Sequence, residues 1–406
     1  MIAHAEPQGP SLWARISAPR SIAAAGIVLG VAAVMLALPP IDAGTIWWPL
    51  GVGILGIAAG IWGTTRGEVR AGIGAVLVSL AGMSLGMTAT RSSASHLDLV
   101  FVWSALIAAT LRYATPLTFA AIGGMFSERS GVVNIGLEGD MLMGAFFGIW
   151  GADVTNSWEL GLVIALASGA LLALLHAFFC IHLRADQIVI GTAINFLALG
   201  ITGYLFVDIY GNQGTPTTIP TVPNVNIPGL QDVPFFGPAF GSLNVMIWLS
   251  FVVLVGSYYV IFKTTLGLRI RSVGEHPRAA ETVGISVYGI RYGCVITSGA
   301  LAALGGAYLT LGNVGLFDQN ISGGRGFIAL AALIFGNWRP FGAFAACLLF
   351  GFSSALADRI PAYFAEGSYA PLLFNALPYV LTIVAVAGVI GRSIPPAADG
   401  KPYIRQ

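Results

Sequence analysis

The chain has 406 residues, of which 56% are hydrophobic and only 9% are charged, and its mean hydropathy is +0.82. Soluble domains carry about 25% charged residues because their surfaces face water. This composition therefore excludes them and predicts an all-α polytopic integral membrane protein. The formal net charge is +1, and lysine occurs only at Lys263 and Lys401. Without a polybasic segment we expect contact with membrane lipid and not with nucleic acid.

Apolar runs of sufficient length predict about 10–12 transmembrane helices. The runs in the first half lie at 22–38, 46–63, 71–88, 99–124, 131–151 and 159–183. Those in the second half lie at 187–209, 243–262, 290–312, 325–337, 340–357 and 372–391. The first run lacks a convincing cleavage site and is followed at once by further spans, so we expect an anchor and not a signal peptide.

The distribution of basic residues predicts how these spans are oriented. With a cytoplasmic N-terminus, 15 of the 19 lysine and arginine residues fall in inside segments. Arg91, Arg325 and Arg359 fall outside, and Arg112 lies within a span. Because cytoplasmic loops are enriched in basic residues, we expect both termini to be cytoplasmic.

The first three spans differ from the rest. Small-xxx-small spacings recur in them, at Gly26 and Gly30, Gly56 and Gly60, and Gly82 and Gly86. Such spacings let helices approach closely, and these spans hold almost no polar group that could face a pathway. We therefore interpret residues 1–98 as added scaffold helices, 99–391 as the functional core and 392–406 as a cytoplasmic tail.

Two long connections interrupt the core. Residues 211–241 are rich in proline, which blocks helix formation, so we expect an ordered, extended loop on the outside. Residues 263–291 form the longest inside segment and the most charged part of the chain. Within it, Pro277 suits the first position of a helix and Gly284 its termination, which predicts one short helix of about seven residues.

A glycine-rich segment at 128–140 predicts a broken helix within the membrane. It places Asn134, Glu138 and Asp140 among glycines, and each glycine costs a helix about 1 kcal/mol relative to alanine. Ionisable groups are expensive in a bilayer, and interrupted helices mark transport pathways. Structural roles stay open as well: either carboxylate could pair with Arg112, and Asn134, like Asn195, could bridge helices.

A second interruption lies at 321–327, before an apolar run too short to cross a bilayer by itself. This pattern predicts a half-helix that needs neighbours to complete the crossing. Arg325 could face the pathway or snorkel at the outer interface. With one interruption in each half, residues 99–209 and 290–391 are expected to form an internal pseudo-repeat.

Three segments of the chain resemble ABC importer permeases. Residues 274–285, Gly-Glu-His-Pro-Arg-Ala-Ala-Glu-Thr-Val-Gly-Ile, look like the coupling-helix loop of these proteins. Residues 128–139, Glu-Arg-Ser-Gly-Val-Val-Asn-Ile-Gly-Leu-Glu-Gly, and 323–336, Gly-Gly-Arg-Gly-Phe-Ile-Ala-Leu-Ala-Ala-Leu-Ile-Phe-Gly, resemble segments of one branch. That branch is the nucleoside and simple-sugar group of the branched-chain amino acid type, or type II importer, family. The resemblance covers 99–391.

The resemblance implies one half of an ATP-driven importer in a bacterial cell membrane. It also implies a second, different permease subunit, a tandem ATP-binding subunit below, and an extracytoplasmic substrate-binding protein or lipoprotein above. The chain has no Gly-x-x-x-x-Gly-Lys-Ser/Thr motif, so ATP is expected on the partner, with no cofactor and no enzymatic activity in this chain.

Two sets of site residues follow from the resemblance. Coupling to the ATPase is expected at the short inside helix and its flanks: Gly274, Glu275, Pro277, Arg278, Ala279, Ala280, Glu281 and Gly284. The substrate pathway is expected at the two helix breaks: Asn134, Glu138, Asp140, Asn195 and Arg325. A nucleoside is the leading substrate because of the resemblance of residues 128–139, and ribose hydroxyls also suit hydrogen bonding by Asn and Glu. A simple sugar is the alternative, and a branched-chain amino acid is less favoured.

Two residues depart from the family's pattern. His276 stands where the family more often has Asn, and both can cap a helix. Asp140 stands where relatives usually have an uncharged residue, often Met, which adds a carboxylate near the pathway. A proton-driven secondary transporter acting through Glu138 and Asp140 is the rival interpretation, although it leaves the inside loop unexplained. The sequence has no cysteine pair and no cluster of residues at metal-ligand spacing, so we expect no metal site.

Overall fold

The computed structural model describes residues 19–37, 47–91, 103–231, 233, 236–359 and 393–404. The span predicted at 372–391 lies outside these residues. Apart from one two-stranded ribbon, the regular elements of the described residues are helices. The predicted all-α class is therefore confirmed.

The first compact unit holds three helices, α1 (Pro19–Ala37), α2 (Trp47–Thr65) and α3 (Val69–Arg91). They pack through glycine. A Cβ on Gly26 of α1 would lie 3.1 Å from the Gly56 carbonyl oxygen of α2. A Cβ on Gly60 would lie 2.7 Å from the Gly72 carbonyl oxygen of α3. The close approach predicted from small-residue spacing is confirmed at these positions.

The second compact unit comprises residues 104–386 and 392–406. Its first helices are α4 (Trp103–Arg129), α5 (Leu137–Thr155), α6 (Trp158–Ala177) and α7 (Gln187–Tyr210), and α6 continues as a π-helical turn over Phe178–His182. Side chains set two of the starts, because Ser157 caps α6 and Asp186 caps α7. Between α4 and α5 the chain is not helical, which confirms the predicted break.

The Pro-rich loop after α7 folds as a small ribbon. Strand β1 (Asn224–Asn226) pairs antiparallel with β2 (Ser242–Asn244), and a short helix, α8 (Phe236–Phe240), precedes β2. The side chain of Asn244 donates to the carbonyl oxygens of Val222 at 2.9 Å and Gly312 at 3.1 Å. These bonds fix the loop against the π-helical segment Tyr308–Val314.

The second half of this unit contains six helices among its described residues. They are α9 (Val245–Lys263), α10 (Thr265–Glu275), α11 (Pro277–Thr282), α12 (Val287–Ala307), α13 (Arg325–Phe335) and α14 (Pro340–Arg359). A π-helical segment, Tyr308–Val314, extends α12. Helix α9 alone separates the Pro-rich loop from the loop that carries α10 and α11, so a crossing by α9 puts the two loops on opposite sides of the membrane.

Within the described part of the chain, seven helices are long and apolar enough to cross a membrane. Helices α7 and α9 expose large apolar side chains, such as Phe196 at 69% and Val252 at 66%, as lipid contact requires. Helix α13 has 11 residues. At 1.5 Å per residue it spans about 16 Å of a hydrocarbon core of about 30 Å, so the predicted half-helix is confirmed.

Helices α5, α6 and α12 pack backbone against backbone. A Cβ on Gly306 of α12 would lie 1.8 Å from the Met141 carbonyl oxygen of α5. A Cβ on Gly169 of α6 would lie 2.5 Å from the Gly299 carbonyl oxygen of α12. Only glycine fits at such contacts, so small residues determine how these three helices meet.

Candidate functional site

The break between α4 and α5 turns at Gly131, whose φ of +89° favours glycine. The Ser127 hydroxyl donates to the Val132 carbonyl oxygen at 2.6 Å. The Gln187 side chain of α7 accepts from the Val133 N–H at 2.7 Å. These bonds satisfy backbone groups that the missing helical turn leaves without partners, as unwound backbone in a membrane requires.

Asn134 lies at the centre of a buried polar cluster in this break. Its Oδ1 accepts from the Gly136 N–H at 2.9 Å, and its Nδ2 donates to the Ser298 hydroxyl of α12 at 3.0 Å. The same Nδ2 lies 3.4 Å from an oxygen of Asp140. Asp140 is 1% exposed, and its other oxygen has no hydrogen-bond partner among the described residues. The cluster joins the break to α12.

Glu138, in the first turn of α5, caps the half-helix α13. One carboxylate oxygen accepts from the Ser322 hydroxyl and from the Gly324 N–H at 2.8 Å. The other oxygen accepts from the Gly326 N–H at 2.6 Å. Since α13 has no side-chain cap of its own, Glu138 supplies the negative charge that the exposed N–H groups of a helix start favour.

Asn195 of α7 also bonds the backbone at the start of α5. Its Oδ1 accepts from the Gly139 N–H at 2.7 Å, and its Nδ2 donates to the Ile135 carbonyl oxygen at 2.9 Å. Arg325 begins α13 and turns back on the preceding loop, where it donates to the Ile321 carbonyl oxygen at 2.9 Å. Each of the two broken elements is thus held by polar side chains.

The structure brings four predicted pathway residues to the start of α5, namely Asn134, Glu138, Asp140 and Asn195, and puts Arg325 at the start of α13. Of the roles left open for the two asparagines, helix bridging is the one observed. The alternative left open for Glu138, a pairing with Arg112, is not observed among the described residues, because both Glu138 oxygens are bonded at the start of α13 and Arg112 is exposed.

Two buried hydroxyl groups at this junction were not predicted. Ser298 and Ser322 are both 0% exposed, and they bond Asn134 and Glu138, respectively. Each serine directly precedes a glycine in the sequence. A serine–glycine step within an apolar run is a usable signal, because a small hydroxyl side chain can bond across helices that approach closely.

The loop at residues 263–291 folds as two helices, α10 and α11, whereas one short helix was predicted. Helix α10 was missed because the charged residues and glycines in its sequence were interpreted as indicating a loop. The Thr264 hydroxyl caps it by accepting from the Gly267 N–H at 3.2 Å. Gly274 at its end lies so close to α4 that a Cβ would be 2.1 Å from the Arg129 carbonyl oxygen. A Cβ on Gly267 would likewise be 2.2 Å from the Ile261 carbonyl oxygen, so close packing explains both glycines of α10.

Helix α11 follows the prediction more closely. Pro277 is its first residue, and Gly284, with φ of +82°, follows its end. His276 occupies the N-cap position, and its side chain makes no capping hydrogen bond there. Arg278 and Ala279 are exposed, whereas Ala280 is buried. The helix therefore presents one face outward.

Residues 393–404, here called the tail, lie along α10 and α11. The Ala398 N–H donates to the Gly274 carbonyl oxygen at 2.8 Å, and the Ala397 N–H donates to the Glu275 carboxylate at 3.2 Å. The Tyr403 hydroxyl donates to the Glu281 carboxylate. The ring of Tyr403 is buried with Ala280, Val273 and Val287. Four predicted coupling residues thus contact the tail, which the sequence did not indicate.

Arg291 of α12 connects the tail to the break. It is 1% exposed, and it donates to the carbonyl oxygens of Ser130 at 3.2 Å and Lys401 at 3.1 Å. Asp399 of the tail interacts electrostatically with the Arg291 guanidinium. Burial raises the pKa of Asp399 to about 7, while the Gly400 N–H and the Arg291 charge act in the lowering direction. The loop that carries α10 and α11, the tail and the break therefore form one connected structure.

A helical membrane protein whose two broken helices meet at buried polar groups, with a short helix presented on an extramembrane loop, has the construction of a transport permease. Comparison with known proteins agrees with this class. The family described as branched-chain amino acid transport system / permease component matches residues 106–386, and the chain belongs to this family.

Three relatives show how far the similarity extends. The guanosine ABC transporter permease protein NupQ of Bacillus subtilis is 44% identical over 328 residues, which cover 76% of this chain and 99% of the relative. The nucleoside ABC transporter permease protein NupC of Lactococcus lactis is 40% identical over 74% of this chain and 96% of the relative. The putative glucose ABC transporter permease protein TsgC13 of Haloferax volcanii is 35% identical over 63% of this chain and 77% of the relative. No solved structure matches the chain.

Proposed function

We propose that this chain is the permease subunit of an ATP-driven importer of nucleosides in a bacterial cell membrane. The observation that carries the proposal is the likeness to NupQ and NupC, which extends over 99% and 96% of their lengths. The names of these relatives state guanosine and nucleoside transport. TsgC13, whose name states glucose, is less similar at 35% identity, which supports a nucleoside over a simple sugar.

The orientation that we propose follows from charge. The loop carrying α10 and α11 holds Arg269, Arg271 and Arg278, and cytoplasmic loops are enriched in arginine and lysine. This loop is then cytoplasmic, as are both termini. The Pro-rich loop at the other end of α9 is extracytoplasmic, where a substrate-binding protein or lipoprotein would dock.

The chemistry is divided among subunits in this proposal. ATP is bound and hydrolysed by a separate tandem ATP-binding subunit, and a second, different permease completes the pathway, so this chain needs no cofactor and is not an enzyme. Residues 1–98 form an added scaffold, and residues 99–391 form the core. Exposed residues of α11, such as Arg278 and Ala279, contact the ATPase and are displaced when it changes conformation.

The pathway that we propose passes the junction of the two broken helices. Asn134, Glu138, Asp140 and Asn195 surround the start of α5, and Arg325 begins α13. Their hydrogen bonds to protein groups hold the closed arrangement. Displacement of α13 would release the Glu138 oxygens and open them to ribose hydroxyl groups, which can replace the lost donors.

Uptake by the reconstituted transporter tests the substrate. Uptake of a labelled nucleoside should be competed by other nucleosides and not by pentoses, glucose or branched-chain amino acids. Competition by a sugar alone would overturn the nucleoside assignment. Uptake that collapses with the proton gradient while ATP is intact would favour a proton-driven transporter instead.

Substitutions on α11 test the coupling role. Arg278→Glu and Ala279→Trp alter only its exposed face, so they should lower uptake at least about tenfold without changing the amount of membrane-inserted protein. The matched control is Arg184→Glu, at an exposed arginine in a different connection. Normal uptake by both α11 variants would contradict the assignment.

A further inference from the structure

A cleft of about 510 Å³ opens beside α11, and the tail forms its second wall. The wall on the side of α11 includes Pro277 and Arg278, and the tail wall includes Lys401, Pro402 and Ile404. The cleft therefore adjoins the exposed face of α11. Its surface combines apolar side chains with basic ones.

The tail wall is held in place by buried anchors. Ala398 and Tyr403 are 6% and 5% exposed. The Tyr403 ring packs edge-on against Tyr288 with ring centroids 5.7 Å apart, and its hydroxyl bonds Glu281. A segment fixed by buried side chains and backbone hydrogen bonds keeps its shape without a ligand. The cleft is therefore preformed.

The charged and apolar side chains that line the cleft indicate the chemistry of the partner that would bind there. Arg278 and Lys401 bring two positive charges to the cleft against the one negative charge of Glu275. The Glu275 carboxylate accepts from the Ala397 N–H, and the Lys401 ammonium donates to the Ala397 carbonyl oxygen at 2.7 Å. Ile404 is 53% exposed although it lies outside every predicted span. Exposed apolar surface rimmed by charge marks a protein interface. A protein segment with an apolar side chain beside a carboxylate is complementary to this cleft.

We infer that the tail is the second half of the surface that receives the ATP-hydrolysing subunit, and that an acidic, apolar segment of that subunit occupies the cleft. The inference rests on the proposed function, because α11 is the neighbouring contact. Continuity of the cleft with α11 favours the same partner for both walls.

The tail is also placed to pass on a displacement. The Ile394 N–H donates to the Asn337 side chain at 3.0 Å, in the turn between α13 and α14. Lys401 is bonded through its carbonyl oxygen to Arg291 of α12. A partner that presses on the tail therefore acts on the turn after α13 as well as on α11.

Site-specific crosslinking in the assembled transporter tests this contact. A photoreactive amino acid is placed at Ile404, at Ala279 of α11, or at Val225 of β1, which lies at the other end of α9. We expect adducts with the ATPase from Ile404 and Ala279 and none from Val225. An adduct from Ala279 without one from Ile404 overturns the tail contact and leaves the proposed function standing. Absence of both adducts, or equal labelling from Val225, overturns the inference; absence at Ala279 also counts against the coupling role of α11.

Charge and polarity changes on the tail give a second measurement. Lys401→Glu and Ile404→Asp should lower substrate-stimulated ATP hydrolysis and uptake about tenfold, since each removes a contact that favours the partner. Ile394→Asp is the matched control, because it keeps the backbone N–H that bonds Asn337 and changes a side chain that is 73% exposed on the same tail and does not line the cleft. Equal activity of all three variants would overturn the inference.

Discussion

The carboxylate of Glu138, in the first turn of α5, accepts a hydrogen bond at 2.6 Å from the backbone N–H of Gly326, in the first turn of α13. The contact leaves no room for a side chain, because a Cβ on Gly326 would lie 2.5 Å from the Cα of Glu138. Two helices that both begin inside the protein therefore share one carboxylate. A displacement of either helix start has to break or carry this bond.

Substitution of Glu138 by glutamine should weaken this junction. Glutamine keeps the shape but loses the charge, and its NH2 group would face N–H and O–H donors where the carboxylate accepts. Leaving such buried donors unpaired costs about 1–3 kcal/mol. We expect a lower unfolding temperature of the purified protein and reduced uptake in proteoliposomes.

Glu159→Gln is the control for this substitution. Glu159 also lies in the first turn of a helix, α6, but it is exposed and accepts from the Ser157 hydroxyl. It should change stability by less than about 0.5 kcal/mol. If Glu138→Gln is as stable and as active as this control, the capping role is refuted.

Two glycines of α12 should respond to alanine in opposite ways. In Gly306→Ala the new Cβ would lie 1.8 Å from the Met141 carbonyl oxygen, so the helices have to separate, at a cost of about 1–3 kcal/mol or more. Gly293 is exposed, and a Cβ on it would have nothing within 4 Å. Gly293→Ala should be neutral or stabilise the helix by up to about 1 kcal/mol.

Thermal unfolding of the two alanine variants in the same detergent measures this difference. Because both changes add one methyl group to one helix, helix propensity cancels between them. Equal unfolding temperatures would show that α5 and α12 do not meet in the described way.

Attachment of the tail should depend on pH through Asp399. Burial raises the pKa of this carboxyl from 3.8 to about 7, although the Gly400 N–H and the Arg291 charge oppose the shift. The carboxyl group of Glu128 in α4 also interacts electrostatically with Asp399. The attached tail therefore retains a proton that a released tail loses. Attachment is strongest below about pH 4, weakens as pH rises to about 7, and is constant above that.

Hydrogen exchange of the tail backbone, corrected for the intrinsic effect of pH, measures this dependence. Protection of the tail amides from exchange should fall by up to about tenfold per pH unit between about pH 4 and about pH 7. Asp399→Asn should remove the dependence, because its side chain does not titrate. A slope that survives in Asp399→Asn would assign the effect to another group.

The parts of the fold that follow from local sequence were predictable. Long apolar runs located the helices, and glycines beside Asn134 and before Arg325 located both breaks, because glycine weakens a helix wherever it lies. Pro277 and Gly284 delimited α11 for the same local reason. These signals need no knowledge of what packs against them.

The partners of the site residues were not predictable, because they depend on tertiary contacts. Nothing near Glu138 in the sequence specifies Gly326, which lies on another helix. Arg112 was the natural partner on charge alone, but three donors at a helix start satisfy a carboxylate as well as an arginine does. The docking of Tyr403 on α11 was missed for a similar reason, since a short polar tail has no periodic pattern.

The contacts of Gly306 with Met141 and of Gly169 with Gly299 leave no layer of side chains between α5, α6 and α12. Helices in such contact cannot slide in small steps, because each step would press a carbonyl oxygen into a neighbouring backbone. We therefore expect these three helices to move together as one body. Any motion that transport requires falls to elements joined to this body by separable hydrogen bonds, and α13, held by the oxygens of one carboxylate, is such an element.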